Sequence, residues 1–314
     1  MIATYPLGGD GFWDYLSLDT ASHRLFVARN DRVMVIDEKS GAQLAEIPGL
    51  HRTHGVAFDY HTGHGFVSAS GDSSVTMFDL RTLKVLGAAK AGAGADALIF
   101  DEGSSHVMSF NGGSNTATII DGVSGQSVAT VPLGGRPEFA TSDGSGKVFV
   151  NLEDKSAIVV IDTKTNRVTN RWSLAPCESP SGLAIDVAHH RLFSGCENKM
   201  MAISDYDRGT VVATVPIGSG VDANRFDPGT GLAFSSNGEG SITVVHEDAP
   251  DKYSVMQTVP TARGARTMEI DAASHRVFTV TARFGPAPEK PTPDNPRRYP
   301  PIIPNSFELL VLAQ

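Results

Sequence analysis

Short apolar runs of four to six residues, separated by polar turns, follow one another along the chain. The stretch KVFVNLEDKSAIVVIDTKTNRVTNRW, residues 147–172, contains three of them. The runs are rich in Val, Ile, Phe and Thr, and the turns between them are rich in Asp, Asn, Gly and Thr. Runs of this length and composition are typical of β-strands joined by tight turns. The pattern therefore predicts an all-β protein.

The strand pattern repeats seven times along the chain. An apolar run ending in Asp or Ser recurs at Asp19, Asp59, Asp101, Ser142, Asp186, Asp227 and Asp271. The spacings between these positions are 40, 42, 41, 44, 41 and 44 residues. Further runs follow within each unit, as HRLFVA, RVMVID and GAQLAEIP do in the first. Four strands repeated at this period predict a seven-bladed β-propeller with four-stranded blades, which makes residues 1–314 one domain.

The two ends of the chain are predicted to build one blade together. The seventh unit reaches Gln314 before its fourth strand, whereas IATYPLGGDG near the N-terminus matches VATVPLGGRP at residues 128–137. We therefore expect the N-terminal strand to close the last blade, which leaves few exposed sheet edges. The competing fold, a β-sandwich, has no reason to repeat seven times or to divide one unit between the termini.

The segments VFVNLEDKSAIVVIDTKTNRV and IIDGVSGQSVATVPLGG resemble the YVTN β-propeller repeat of YncE-like proteins. The resemblance covers essentially the full chain and implies the same seven-bladed fold. Its matching residues belong to strands and turns, so it implies architecture and not activity. Members of such families are often exported, which implies a periplasmic or secreted protein whose signal peptide is absent from this sequence. A cytoplasmic location is the alternative, because the start MIATYPLGGD has neither a basic region nor an apolar signal core.

Charge narrows the range of partners. The formal net charge is −9, and no Lys/Arg cluster exceeds a pair, whereas phosphate-backbone binding requires a concentrated basic surface. Nucleic acid is therefore not expected as a partner. No apolar run approaches the roughly 20 residues that cross a bilayer, so membrane insertion is not expected either. A small molecule, a peptide or a protein partner remains, and we expect a monomer.

Candidate chemistry gathers where the first strands begin. In a propeller these strands line the central channel, and we call the face where they begin the top face. Alignment of the seven units brings together at this channel mouth Asp14, His54, Asp96, Pro137 followed by Glu138, Ser181, Asp222 and Arg266. Titratable groups that converge in a concave place are a default site hypothesis. A water-filled polar channel without any ligand is the alternative.

Two functions are compatible with this ring. The first is a binding module for a small ligand or a protein partner, and its candidate ligand-binding residues are Trp13, Asp14, Ser181, Asn111, Asn151, Asn237 and Tyr299. The second is a hydrolase or lyase that uses a divalent cation, for which calcium is the expected ion, held by Asp96, Glu138 and Asp222. Its catalytic residues would be His54 as general base, Arg266 as the group that steadies a negative charge, and Glu138.

The seventh unit carries an insertion on the top face. Its sequence GPAPEKPTPDNPRRYPPIIP, residues 285–304, holds eight of the chain's 18 prolines. Proline stiffens a chain without supporting a strand, and long irregular loops are often functional. The insertion is expected to be a lid or rim beside the channel, or else a mobile surface loop.

The two cysteines bracket the first two strands of the fifth unit. Cys177 precedes the first of these strands and Cys196 ends its neighbour, so a disulfide is expected, and it would imply an oxidising compartment. The alternative is a thiolate zinc site, which needs about four ligands, and two cysteines are too few for it.

Overall fold

The computed structural model describes residues 1–292, 295 and 298–313. These residues form 28 strands in seven four-stranded antiparallel sheets arranged in a ring, which confirms the predicted seven-bladed propeller. The single helical segment among them is a 3-10 turn at Glu153–Lys155. None of the described helices has the length and apolar character needed to cross a membrane.

The first strand, β1 (Ala3–Pro6), belongs to the last blade, and blades 1 to 3 follow it in chain order. Blade 1 contains β2 (Trp13–Asp19), β3 (Arg24–Arg29), β4 (Arg32–Asp37) and β5 (Gln43–Pro48). Blade 2 contains β6 (Thr53–Asp59), β7 (His64–Ala69), β8 (Ser74–Asp79) and β9 (Val85–Lys90). Blade 3 contains β10 (Ala95–Asp101), β11 (His106–Asn111), β12 (Thr116–Asp121) and β13 (Ser127–Pro132).

Blades 4 to 7 complete the ring. Blade 4 contains β14 (Pro137–Ser142), β15 (Lys147–Leu152), β16 (Ala157–Asp162) and β17 (Arg167–Ser173). Blade 5 contains β18 (Pro180–Asp186), β19 (Arg191–Cys196), β20 (Met200–Asp205) and β21 (Thr210–Pro216). Blade 6 contains β22 (Val221–Asp227), β23 (Leu232–Asn237), β24 (Ser241–Ala249) and β25 (Lys252–Pro260). Blade 7 contains β26 (Met268–Asp271), β27 (Arg276–Thr281), β28 (Glu308–Leu312) and β1.

The hydrophobic core lies between neighbouring blades. The second and third strands of a blade are buried almost throughout, whereas an outermost strand such as β5 exposes most of its residues. Between blades 7 and 1, for example, Leu16 and Leu25 pack with Phe278 and Leu309, all at most 1% exposed. Burying each side chain of this kind contributes about 1.5–3 kcal/mol. Each repeat thus needs two neighbours, which is why the ring must close.

The closure of the ring is confirmed as predicted, because β1 pairs with β28 in the register Ala3 to Val311. Arg29 reinforces the closure from inside. Its guanidinium is fully buried and donates to the carbonyl oxygens of Asp10, Gly11 and Phe12 at 2.8, 3.1 and 3.3 Å. It also stacks on the Phe307 ring at 3.7 Å. Burial, together with the charge of Arg32, lowers the pKa of Arg29 to about 10, so the group still carries its charge at neutral pH.

The predicted disulfide between Cys177 and Cys196 is also confirmed, with a Cα–Cα distance of 5.6 Å. The insertion lies between β27 and β28 of blade 7. Its base is held by a bridge between Phe284 and Ile302, and Phe284 packs against Trp13 at a ring-centroid distance of 6.1 Å. Residues 293, 294, 296 and 297 of the insertion lie outside the described residues.

Candidate functional site at the channel mouth

The first strand of a blade contains a β-bulge, and the bulge directs the side chain of the site residue toward the channel. In blade 1 Trp13 pairs with Arg29 but Leu16 pairs with Val27, so one extra residue is accommodated between them. Such a bulge re-aims side chains and locally breaks the ladder. The same shift occurs in the first strands of blades 2 to 6.

The register of blade 4 corrects the sequence alignment at one place. Pro137 pairs with Leu152, as Trp13 pairs with Arg29 in blade 1. Glu138, one residue further on, is therefore the counterpart of Asp14, and Pro137 is not a ring member. The ring at the channel mouth, called here the carboxylate ring, consists of Asp14, His54, Asp96, Glu138, Ser181, Asp222 and Arg266.

Arg266 and Asp222 form one neutralised pair of the ring. The Arg266 guanidinium donates from Nη1 to the Asp222 carboxylate and from Nη2 to the Trp13 carbonyl oxygen at 3.2 Å. The charge of Asp222 is the main reason that the pKa of Arg266 lies above its usual value. Burial raises the pKa of Asp222 even against Arg266. Ser181 Oγ adds a hydrogen bond to the same carboxylate at 3.3 Å.

His54 is held at both of its ring nitrogens. Nδ1 lies 2.5 Å from Asp14 Oδ2 and 3.4 Å from Asp96 Oδ1, and Nε2 lies 2.8 Å from Ser70 Oγ. Burial by itself would lower the pKa of His54, but the hydrogen bond to Asp14 and the charge of Asp96 raise it overall. Ser70 belongs to the hairpin between β7 and β8 and was not predicted, because its loop offers no motif that distinguishes it from other turn serines.

Asp96 and Glu138 are the two carboxyls without a matched cation among the described residues. The nearest cationic atoms are His54 Nδ1 at 3.4 Å from Asp96 and Arg136 Nη2 at 4.0 Å from Glu138. Arg136 is already engaged by Glu153. Burial raises the pKa of Asp96 to about 7 despite His54. Burial, followed by the charge of Asp96, raises the pKa of Glu138 to about 8.

Two aromatic side chains separate the carboxylate ring from the rest of the channel. Tyr15 and Phe139 follow the ring members of blades 1 and 4, on opposite sides of the seven-bladed ring, and their centroids are 4.7 Å apart. Burial and the charges of Asp96 and Glu138 raise the pKa of Tyr15 well above its usual value, so its hydroxyl stays protonated. Beyond the pair lies a cavity of about 440 Å³ that no member of the carboxylate ring lines.

The three asparagines predicted to bind a ligand do not reach the channel. Asn111, Asn151 and Asn237 are 0% exposed. The first and last bond serine and threonine side chains of their own blades. Asn151 Nδ2 donates to the backbone of the next blade, at Ser181 O and Gly182 O, at 2.9 and 3.1 Å. In this structure all three amides therefore serve the scaffold.

The two aromatic residues predicted to contact a ligand differ in their surroundings. Trp13 is 4% exposed and packs between Phe284 and Phe307, so packing between blades 7 and 1 occupies it. Tyr299 is 61% exposed in the insertion, and its backbone is held by Asn295 at 2.8 Å.

The predicted calcium ligands are Asp96, Glu138 and Asp222. They are not all available to a metal ion, because Arg266 forms an ion pair with the Asp222 carboxylate. A different group offers converging atoms. One ligand atom each from Asp14, His54 and Asp96 lie within 4.8 Å of one another.

Compared with known proteins, the chain matches no protein-family model and no curated protein. What is established is a seven-bladed β-propeller with a disulfide in blade 5 and a charged ring at one mouth of its channel.

Proposed function

We propose that the protein binds a small organic cation, such as an alkylammonium, at the top of its channel. The site is the space surrounded by the carboxylate ring above Tyr15 and Phe139, called here the pit. The observation that carries the proposal is the surplus of partly buried carboxyls. The ring contains four carboxyls, and Arg266 and His54 engage Asp222 and Asp14. Asp96 and Glu138 are left without such a partner, and the charge of Asp96 acts on Glu138.

Two uncompensated carboxyls in a partly buried place are costly unless a cation joins them. The raised pKa values of Asp96, about 7, and of Glu138, about 8, express this cost. A bound cation would favour the ionised forms and lower both pKa values. Strongly perturbed groups of this kind cluster at functional sites. The ring of Tyr15, which is partly exposed next to the carboxyls, adds an aromatic surface suited to an alkylammonium.

The test compares two probes that have the same shape and different charge. Choline carries a quaternary ammonium, and 3,3-dimethylbutanol replaces its nitrogen by carbon. By isothermal titration calorimetry we expect choline to bind and the alcohol not to bind. Choline should bind more tightly at pH 9 than at pH 6, because Asp96 and Glu138 are ionised at the higher pH.

Variants assign the binding to the ring. Glu138→Gln and Asp96→Asn should each raise the Kd for choline by at least about tenfold, which corresponds to roughly 1.4 kcal/mol. Glu102→Gln, which removes a charge on the exposed turn after β10, is the matched control and should bind like the wild type. Equal binding of both probes, or unchanged affinity in the two ring variants, would refute the proposal.

A metal-dependent hydrolase or lyase is the second candidate, favoured by the converging atoms of Asp14, His54 and Asp96. The mixed nitrogen and oxygen set suits a transition ion better than calcium. Elemental analysis of protein purified without chelators tests it. One equivalent of metal that His54→Ala loses would support this candidate, and metal-free wild-type protein would oppose it.

The proposed family relation and the proposed cellular location rest on the repeated sequence and on the disulfide. The repeated strand and turn text supports a distant relation to the YVTN-repeat, YncE-like propellers. The disulfide of Cys177 and Cys196 supports an oxidising, periplasmic or secreted location. Fractionation of cells that express the natural gene would test the location, and recovery in the cytoplasm would oppose it.

A further inference from the structure

We propose that Ser70, His54 and Asp14 form a nucleophile, base and orienting acid, and that the protein hydrolyses esters carrying a cationic group. We call these three residues the relay. The argument for the relay uses only its hydrogen-bond geometry and does not depend on the proposed cation site. The preference for a cationic ester rests on the proposed cation site.

The relay is built by two hydrogen bonds on the two nitrogens of one imidazole. Asp14 Oδ2 lies 2.5 Å from His54 Nδ1, and Ser70 Oγ lies 2.8 Å from His54 Nε2. Because the carboxylate accepts the Nδ1 proton, Nε2 presents its lone pair and the Ser70 hydroxyl donates to it. Nucleophile, base and orienting carboxylate in this order are the arrangement that activates a serine on several unrelated folds.

The scaffold holds the two inner members of the relay rigidly. The side chains of His54 and Asp14 are 11% and 13% exposed. Arg266 Nη2 lies 3.8 Å from the second Asp14 oxygen, so the carboxylate is held between His54 and Arg266. These residues come from the first strands of two adjacent blades, so the relay depends on the propeller and not on one loop.

Ser70 itself is the open end of the relay. Its N–H donates to Arg52 O at 2.9 Å, and the next N–H, of Gly71, donates to His51 O at 3.0 Å. A Cβ at Gly71 would lie 2.8 Å from His51 O, so glycine is required for this close approach. The hairpin is thereby fixed against the loop before β6, with the partly exposed Ser70 at the channel mouth.

The chemistry balances with water as the second substrate. Ser70 Oγ attacks the ester carbonyl carbon while its proton passes to His54 Nε2. The bond from that carbon to the alcohol oxygen then breaks, and the alcohol leaves with the proton from Nε2. Water next attacks the acyl-serine, gives one proton to Nε2, and releases the acid as Ser70 recovers its hydrogen.

The pit explains why the ester should be cationic. Asp96 lies 3.4 Å from the same imidazole, so an ammonium held by Asp96 and Glu138 sits one imidazole ring away from the nucleophile. Acetylcholine is therefore the first probe, and 3,3-dimethylbutyl acetate is its neutral counterpart.

Covalent labelling tests the nucleophile directly. A fluorophosphonate probe should modify Ser70, as located by mass spectrometry of the digested protein. Ser70→Ala should abolish the labelling, and Ser114→Ala, in the corresponding hairpin of blade 3, should retain it. Labelling at another residue, or no labelling of the wild type, would overturn the relay.

Turnover gives the second readout. Ser70→Ala and His54→Gln should each lower kcat/KM for acetylcholine by at least about 100-fold, with the melting temperature of Ser70→Ala within a few degrees of the wild type. A folded Ser70→Ala protein that retains turnover would also overturn the relay.

The same experiments separate the two proposals. Ser70→Ala should still bind choline, because Asp96 and Glu138 remain. Choline binding without labelling or turnover refutes the relay and leaves the cation site. Hydrolysis of the neutral ester as fast as acetylcholine, lost in Ser70→Ala, supports the relay and refutes the cationic preference.

Discussion

Replacing Glu138 by glutamine should stabilise the protein, and the gain should grow as the pH rises from about 4.5 to about 8. An unfolded chain ionises this carboxyl near its ordinary pKa of 4.5, whereas burial and the charge of Asp96 raise the folded pKa to about 8. Between these values the folded state holds a proton that the unfolded state has released. Stability therefore falls as the pH rises through this window, by at most about 1.4 kcal/mol per pH unit for one group.

The size of the effect follows from the surroundings of Glu138. If the whole interval acted on this side chain alone, the loss above pH 8 would reach about 5 kcal/mol. The side chain keeps 23% of its surface open to the channel, and it shares the repulsion with Asp96, so solvent and the neighbouring group take up part of the loss. We expect a gain of about 2 kcal/mol for Glu138→Gln at pH 9. At pH 4.5, where the carboxyl is protonated in the folded state and half protonated in the unfolded state, we expect little difference.

Urea unfolding at pH 4.5, 7 and 9, followed by the fluorescence of Trp13 and Trp172, measures this difference. Glu102→Gln removes the same charge from an exposed turn and should show no comparable gain at pH 9. Equal m-values for wild type and variant are needed for the comparison. A Glu138→Gln protein that is less stable than the wild type at pH 9, or one that gains as much at pH 4.5, would refute the reasoning.

Three further changes test the scaffold and the rim. Replacing Cys177 and Cys196 by serine opens a loop with a sequence separation of 19, and it should lower the free energy of unfolding in urea by about 3 kcal/mol. Reduction of the wild type should lower it by the same amount. An unchanged free energy of unfolding would contradict the loop-entropy argument. Arg29→Met leaves three buried carbonyl oxygens without their donor and should cost about 3 kcal/mol or more, whereas Arg81→Met on the surface should cost little. Replacing residues 286–300 by a short Gly-Ser linker should change the Kd for choline if the insertion is a rim of the pit, and an unchanged Kd would leave it without that role.

The fold could be predicted from the sequence because every blade has to bury two sheet faces in the same way. A strand such as β16, AIVVID, must bury two faces against neighbouring blades, and this demand recurs at every 40 to 44 residues. The match between the N-terminal text and a fourth strand was sufficient to predict the closure that β1 and β28 make. Packing and turn rules are local, and local rules leave a visible pattern in the residues.

The members of the ring were predictable for the same reason, but their pairing was not. The register of blade 4, in which Pro137 pairs with Leu152 as Trp13 pairs with Arg29, decides that Glu138 and not Pro137 is the ring member, and no residue type marks that register. The ion pair of Arg266 with Asp222 joins adjacent blades 44 positions apart along the chain. Ser70 reaches His54 only because the hairpin after β7 folds back onto the loop before β6.

The asparagines illustrate the opposite difficulty. An amide at the end of a second strand can satisfy the backbone of a neighbouring blade or reach into solvent, and residue type does not distinguish the two. Asn151 takes the first role, since its amide holds the carbonyl oxygens of Ser181 and Gly182. It thereby positions the backbone that carries a ring member, although it contacts no ligand site itself.

The aromatic pair of Tyr15 and Phe139 gives the charged ring its chemical character. An open channel would let water solvate the carboxyls from both sides, and their pKa values would stay near the ordinary ones. Because the two rings meet at 4.7 Å, the carboxylate ring is the wall of a pit with one mouth. Smaller residues at both positions, as in Tyr15→Ala with Phe139→Ala, should admit water from the cavity of about 440 Å³ beyond them. The pKa of Glu138 should then fall, which NMR titration of its side-chain carboxyl can measure. If that pKa stays near 8 in a folded double variant, the repulsion from Asp96 and not the closed floor controls the site.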